Sequence, residues 1–410
     1  MNRRGRKIYR TRAGNRKRMT RRFFKVLLFI IVLAALVFIG YSVGQPIHEY
    51  FTERNENTSA EDDTAPWTPP VSPDETDASD GGNGGEVTSV SNAEEEESNV
   101  PKKIDFSAYQ LPESALNSEN DLKNALENVK GSGYTAVMVT MKADGGKIYY
   151  KTNSQMAQSD ESAVVGSMSA GQIAGMIKNA GFVPIAKINL LEDHNLYGEY
   201  KTGSYHFDGS TSTWLDNSVA NGGKPWLSPF DTDTQSYAAY LSNEVSGAGF
   251  EYIVLDGIVF PPFRNSDLNY IGSIVKAADK YKSLISIADI AAKAAEANGS
   301  TAVVTVSAEE VLKGTSDVFK PAELTVKNVS VKYFPSKLDG TAVINGEEAA
   351  LSDMTAYDRA IAVFGEIKRL AGENISIVPA LRQTDFSQAD FNDTITAFMD
   401  LGFDSYIILS

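Results

Sequence analysis

From residue 104 onward, eight short apolar runs of strand length alternate with helical segments, a pattern that restricts the chain to a parallel sheet wound with helices. The runs fall at 104–109, 134–141, 182–188, 251–256, 302–306, 328–334, 375–380 and 404–409. The strongest, GFEYIVLDGIVFPP at 249–262, is continuously apolar through Ile253, Val254 and Leu255, as a strand buried on both faces must be. It ends on Asp256, and prolines then close it. Helical segments at 119–130, 169–180, 235–247, 267–297, 355–371 and 387–401 separate the runs. Gly-aromatic junctions (GSGY, NAGF, GAGF, DLGF) enter four of the strands. Eight such units over about 300 residues predict an α/β fold, a (β/α)8 TIM-type barrel rather than an open sheet. The 308–327 segment is weakly helical and no helical pattern follows the last run, so the barrel is expected to be incomplete at its eighth helix.

The residues before 104 cannot build a core. The first 25 carry 12 Lys or Arg and no acid, and subtracting them from the 38 basic residues of the chain leaves 26 against 53 acidic ones. A body this acidic repels nucleic-acid backbones, so no nucleic-acid partner is expected. Val26 to Ile39 is unbroken apolar sequence. With its flanks the stretch reaches about 20 residues, enough to cross a bilayer. The expected organisation is a basic cytoplasmic tail at 1–22 and a transmembrane helix at 23–43. An acidic Pro/Gly/Ser-rich disordered linker follows at 44–103, and a barrel domain at 104–410. Between 51 and 101 there are 14 acids and a single base, Arg54, so self-repulsion and proline keep that segment extended. The basic cluster before the span places the N-terminus in the cytosol and the barrel outside a single-pass membrane anchor. A cleaved signal peptide is the alternative, but GYSVGQPIHEY lacks a clear small-x-small site. The absence of cysteine excludes disulfides and thiolate metal sites.

Acids at strand ends are the chemistry that remains. There is no Gly-x-Ser-x-Gly elbow, phosphate loop or dinucleotide fingerprint, and His194 and His206 lack ligand spacing, so neither a metal nor a cofactor is expected. Carboxylates on the carboxyl face of a barrel are the equipment of glycoside hydrolysis, one to protonate the leaving oxygen and one to serve as nucleophile or base. The candidates are Asp144, Asp193, Asp256, Glu309 and Glu310, each of which has an alternative role as a helix cap or solvated loop acid. Asp256 and Glu309, at the ends of consecutive strands, are the best catalytic pair. The long loop from Asn189 to Thr234 holds Tyr197, Tyr200, Tyr205, Phe207, Trp214 and Trp226. These rings suit sugar stacking, or else packing of the loop on itself. Lys142, Asp144, Lys187, Asp193, Trp214, Trp226 and Arg382 are the candidate substrate-binding residues, with a polysaccharide or other glycan as the expected partner beside the membrane.

Most of 131–410 resembles the bacterial "putative glycosyl hydrolase" domains related to α-amylase-type barrels. The likeness rests on VMVTMKADGG, PIAKINLLED, WLSPF at 226–230, the 249–262 stretch, VTVSAEEV and VKYFPSKL. It implies a fourth-strand nucleophile, Asp256, and an acid/base after the fifth strand, Glu309. Members show Asp-Tyr-x-Arg-Phe-Pro after the fourth strand, where this chain has Gly257 and Val259 in place of Tyr and Arg. The sixth-strand Tyr-Pro-Ser-His becomes Phe334, Pro335, Ser336 and Lys337. Val259 cannot hold the nucleophile ionised, and Lys142, Lys187 and Lys332 are the cations available to replace that Arg. The reading is therefore a membrane-anchored extracytoplasmic glycoside hydrolase acting on cell-surface or environmental polysaccharide. The alternative is a non-catalytic glycan-binding or envelope scaffold domain on the same barrel.

Overall fold

The computed structural model describes residues 104–160, 162–195, 203–271, 275, 280–338 and 340–410. All of them lie in the compact unit Ala93–Ser410. The tail, span and linker expected at 1–22, 23–43 and 44–103 fall outside the described residues. Among those described, no helix is long and apolar enough to cross a membrane.

Ten strands occur in chain order: β1 Ser107–Gln110, β2 Ala136–Lys142, β3 Val183–Asn189, β4 Tyr252–Asp256, β5 Thr301–Ser307, β6 Asn328–Tyr333, β7 Thr341–Ile344, β8 Glu347–Ala350, β9 Ser376–Arg382 and β10 Tyr406–Leu409. Eight of them close a parallel barrel in the order β1-β10-β9-β6-β5-β4-β3-β2. All eight runs expected from sequence are present in it. The remaining two, β7 and β8, form an antiparallel hairpin that the strand count overlooked. Its signal was nonetheless in the sequence, because Asn345-Gly346 sits between the strands and both residues take positive φ, 53° and 86°. That is the turn chemistry a two-residue hairpin requires.

Helices begin where short polar side chains can satisfy the first free amides. Ser118, Asp231, Thr355 and Ser387 each accept a hydrogen bond from a first-turn backbone N–H, and Ser169 forms a full capping box with Gln172. The single helix expected over 267–297 is instead a short turn at Asp267–Asn269 and a helix at Tyr281–Glu296. Asp267 turns back on Arg264, accepting from its backbone N–H at 3.2 Å and from Nε at 2.7 Å, which closes a local turn there.

Strand alternation divides the buried residues into two layers. Val137, Val139, Ile253, Leu255, Val329 and Val331 face the helices, whereas Met138, Ile185, Val254, Val303, Val378 and Ile407 face into the barrel. Two residues beyond the inward apolar set, towards the carboxyl ends, the same face carries Lys187, Asp256 and Thr305. The period of two therefore takes the interior from a packed apolar base to a polar mouth.

Candidate active site

Asp256 is the last residue of β4, in register with Asn189 at the end of β3. Its carboxylate accepts from the Gly257 amide at 2.9 Å and from Nζ of Lys332, which lies 2.7 Å from Oδ1 and 2.8 Å from Oδ2. Burial alone would raise its pKa. The charges of Lys332 and then Lys187 outweigh that penalty, so the carboxyl titrates below its ordinary range and is an anion at neutral pH. Lys332 thus supplies the positive charge that Val259 cannot. Gly257 is at φ 64°, and a Cβ there would come within 2.2 to 2.4 Å of the Asn189 side chain. No larger residue, including the Tyr of the family pattern, fits this turn without displacing Asn189.

Asp256 lines a cleft of about 630 Å³ at the carboxyl end of the barrel, together with Asp144, Lys187, Glu192, Glu310, Lys332, Phe334, Lys337 and Arg382. Two further acids in this cleft are held towards their protonated forms. Burial and then the charge of Asp144 raise Glu192 above its ordinary value, with a smaller push from Asp256. Burial and then Glu309 raise Glu310, against the opposing pull of Lys337 and Lys332. A carboxylate of lowered pKa beside carboxyls of raised pKa is the kind of pairing that acid–base cleavage of an acetal uses. Thr305 also lines the cleft, and its hydroxyl is buried without a protein partner.

The structure gathers only some of the residues expected in the site. Asp144, Lys187, Asp256 and Arg382 line the cleft, but Glu309 does not. Its carboxylate is 2.7 Å from Lys313 one helical turn on, and it borders a separate groove of about 210 Å³ beside the β7–β8 hairpin. The adjacent Glu310 is the acid that reaches the cleft. Lys142 and Asp193 form a fully buried ion pair at 2.9 Å, and Lys142 also donates to the Asn189 carbonyl at 2.9 Å. The Lys142 ammonium is not well aligned with Asp193 Oδ2 for a hydrogen bond, so charge rather than directionality carries this contact. A register shift between Thr140 and Lys142 brings Lys142 level with Ile188 of the helix-facing layer, with its ammonium 5.6 Å from the Tyr237 ring. That irregularity turns it out of the barrel mouth.

None of the loop's aromatic residues that are described lines the cleft. Trp214 is 1% exposed, with its ring centre 6.0 Å from Tyr205 and 5.0 Å from Phe263, and it anchors a small core of the loop's own. Trp226 is buried as well, donating from Nε1 to Asp216 at 3.2 Å and meeting the His194 ring edge-on. Tyr197 and Tyr200 lie outside the described residues. Among the described residues no group of three or more His, Asp or Glu is placed to hold a metal ion.

The sequence pattern described as "Putative glycosyl hydrolase domain" matches residues 108–314, half of the chain, from β1 through the segment after β5. The chain belongs to that family. The domain is similar in structure to the PgaB (BpsB) glycoside hydrolase domain from Bordetella bronchiseptica, at TM-score 0.52 and 13% identity, over 75% of this chain and 94% of that one. At that identity the likeness shows a shared barrel fold. Looser similarity extends to the α-galactosidase of Thermus thermophilus, at TM-score 0.46 and 13% identity over 76% of this chain and 63% of that one. A hypothetical protein from Ruminiclostridium thermocellum is also similar, at TM-score 0.39 and 18% identity over 48% of this chain and 96% of that one. No curated protein matches the chain.

Proposed function

We propose that this domain is a glycoside hydrolase whose cleft cleaves a polysaccharide, with Asp256 as the anionic carboxylate at the anomeric carbon and Glu310 as the proton donor. The observation that carries the reading is the Lys332–Asp256 contact, which keeps one acid ionised in the same cleft where burial raises the pKa of Glu310. Glu310 transfers its proton to the glycosidic oxygen as the C–O bond breaks. Asp256 stabilises the positive charge that develops on the sugar ring. Glu310 follows β5, the strand beside β4, which is where the family resemblance puts the acid. Glu192, on the opposite side of β4, is then a substrate-orienting carboxyl. Lys187, Asp144 and Arg382 supply polar contacts from the walls.

The test is a glycan array followed by reducing-end assays on the bound sugars, using the purified full chain. Turnover that disappears in Asp256→Asn and falls about 10²- to 10⁴-fold in Glu310→Gln supports the assignment. Loss in Glu192→Gln with retention in Glu310→Gln would transfer the donor role to Glu192. Binding without turnover of any bound sugar would leave a glycan-binding domain.

The expected position of the enzyme is outside the cell, tethered to the membrane by 23–43 with the basic tail in the cytosol. The support is the apolar run and the charge asymmetry before it. Protease added to intact cells should remove the 104–410 domain while leaving the basic tail. A mature N-terminus near Gln45 would mean that the span is cleaved.

A further inference from the structure

The cleft has unlike ends. The charged side chains contributed after β2 and β3 are acidic, Asp144 and Glu192, while those contributed after β6 and by β9 are basic, Lys337 and Arg382. The two cations converge on one ring. Nζ of Lys337 lies 5.3 Å and Cζ of Arg382 5.5 Å from the centre of Phe334. Neither cation is held in a tight ion pair among the described residues. Lys337 has no carboxylate within ion-pair distance among the described residues. Arg382 approaches Asp385 only to 4.0 Å and otherwise donates from Nε to a main-chain oxygen of Ser410 at 3.2 Å.

This placement stands out against the composition of the domain, since residues 104–410 carry 38 acids against 23 bases. In such a background a cation finds a carboxylate easily, yet here Lys337 has none at ion-pair distance among the described residues and Arg382 reaches one only at 4.0 Å. Glu310 lines the same cleft and interacts electrostatically with Lys337, without an ion-pair contact among the described residues. Phe334 and Lys337 stand where the family resemblance expects Tyr and His, so a titratable ring is replaced by a permanent charge. Phe334, Lys337 and Arg382 all lie beyond the residues 108–314 that carry the family pattern.

We infer that the β6–β9 end of the cleft is a subsite for an oxyanion carried by the glycan, either a uronate carboxylate or a phosphate ester, recognised by Lys337 and Arg382 over Phe334. The guanidinium fork of Arg382 matches both oxyanion geometries, and Lys337 adds a point charge. Holding both cations against an aromatic ring limits the side-chain freedom they lose on binding. This inference rests on the glycan-cleft reading above and adds to it the charge of the substrate.

The experiment compares charged and neutral members of matched pairs binding to the full chain, measured by calorimetry at low salt. One arm uses oligogalacturonate against its methyl ester, the other glucose 6-phosphate against glucose. The charged member of at least one pair should bind about tenfold or more tightly than its neutral partner, with the advantage shrinking as salt is added. The arm that shows the advantage identifies carboxylate or phosphate. The advantage should disappear in the Lys337→Gln, Arg382→Gln double variant and survive in Lys337→Arg. Equal binding within both pairs, no binding of either charged probe at millimolar concentration, or a preference that persists in the double variant would each overturn the inference. Hydrolysis separates the two readings. Turnover of neutral glycans with no charge preference removes the oxyanion subsite and leaves the hydrolase. Charge preference without turnover of any glycan removes the hydrolase and leaves the subsite.

Discussion

The ammonium of Lys332 spans the end of a whole strand, β5, to lie 2.7 and 2.8 Å from the two carboxylate oxygens of Asp256 on β4. The contact is possible because both residues point into the barrel, where the long lysine side chain of β6 reaches past β5 to the end of β4. Lys332→Met would leave the buried Asp256 anion with only Lys187 to offset its charge. The variant should lose about 2 kcal/mol of stability at pH 7. Adding Asp256→Asn should restore part of that loss, because the buried charge is gone. Denaturant unfolding of the two variants and the wild type checks it, and equal stability of all three would show that the pair is not coupled.

Acid should weaken the fold through the same residue. A carboxyl whose folded pKa is depressed contributes stability that is fully present above its unfolded value and is lost as pH falls through the folded one. Below about pH 4 the wild type should therefore lose stability more steeply than Asp256→Asn. Parallel curves for the two proteins would mean that Asp256 titrates normally.

Glu310 shifts the opposite way, which bears on activity. A donor with a raised pKa keeps its proton to higher pH, so the basic limb of kcat/KM should lie above the ordinary Glu value of about 4.3. In Glu310→Gln that limb should disappear along with most of the turnover. An unchanged basic limb in the residual activity would assign it to another group, with Glu192 the next to examine.

Trp214→Ala is expected to act on the fold rather than on the sugar. The ring is buried against Tyr205 and Phe263 and touches no part of the cleft, so the loss should be about 3–5 kcal/mol, with KM preserved where the protein remains folded. A raised KM with unaltered melting would return this tryptophan to the binding surface.

At Gly257 a methyl group should be enough to disturb the site. Gly257→Ala places a side chain at positive φ and within 2.4 Å of Asn189, whose Oδ1 accepts from the Glu192 amide at 3.0 Å. We expect about 1–2 kcal/mol of destabilisation from the backbone alone, together with reduced turnover. Wild-type melting and kinetics would show that Asn189 yields without consequence.

The barrel was legible because parallel strands buried on both faces leave unbroken apolar runs, and all eight were long enough to read. Parts of the site were legible for the same reason. Lys187 and Asp256 each follow an inward apolar residue by two positions, so strand alternation alone carries them to the mouth. Lys142 has the same parity, four positions after the inward Met138, but is defeated by a register shift in β2 that only pairing with β3 reveals. Glu309 and Glu310 differ by one step of a helix, and the lysine four residues after Glu309 was the available clue that this acid is engaged elsewhere. Trp214 could not be assigned from sequence, since an aromatic loop that packs on itself has the composition of one that binds sugar. The convergence of Lys337 and Arg382 on Phe334 joins residues from two strands and is a property of the closed barrel alone.

Closure of the barrel depends on its first and last strands. Ser107 pairs with Tyr406, and the Ser405 hydroxyl bridges the Ile104 carbonyl and the Phe106 amide. Until the final residues of β10 have been synthesised, β1 has a neighbour on one side only and β9 presents an open edge. The ring is therefore completed by contacts of nearly the greatest sequence separation the domain allows, which makes folding slow and leaves the nascent chain with two adhesive strand edges. Loss of β10 alone would spare every residue of the Asp256–Lys332 pair and still leave β1 and β9 with open edges.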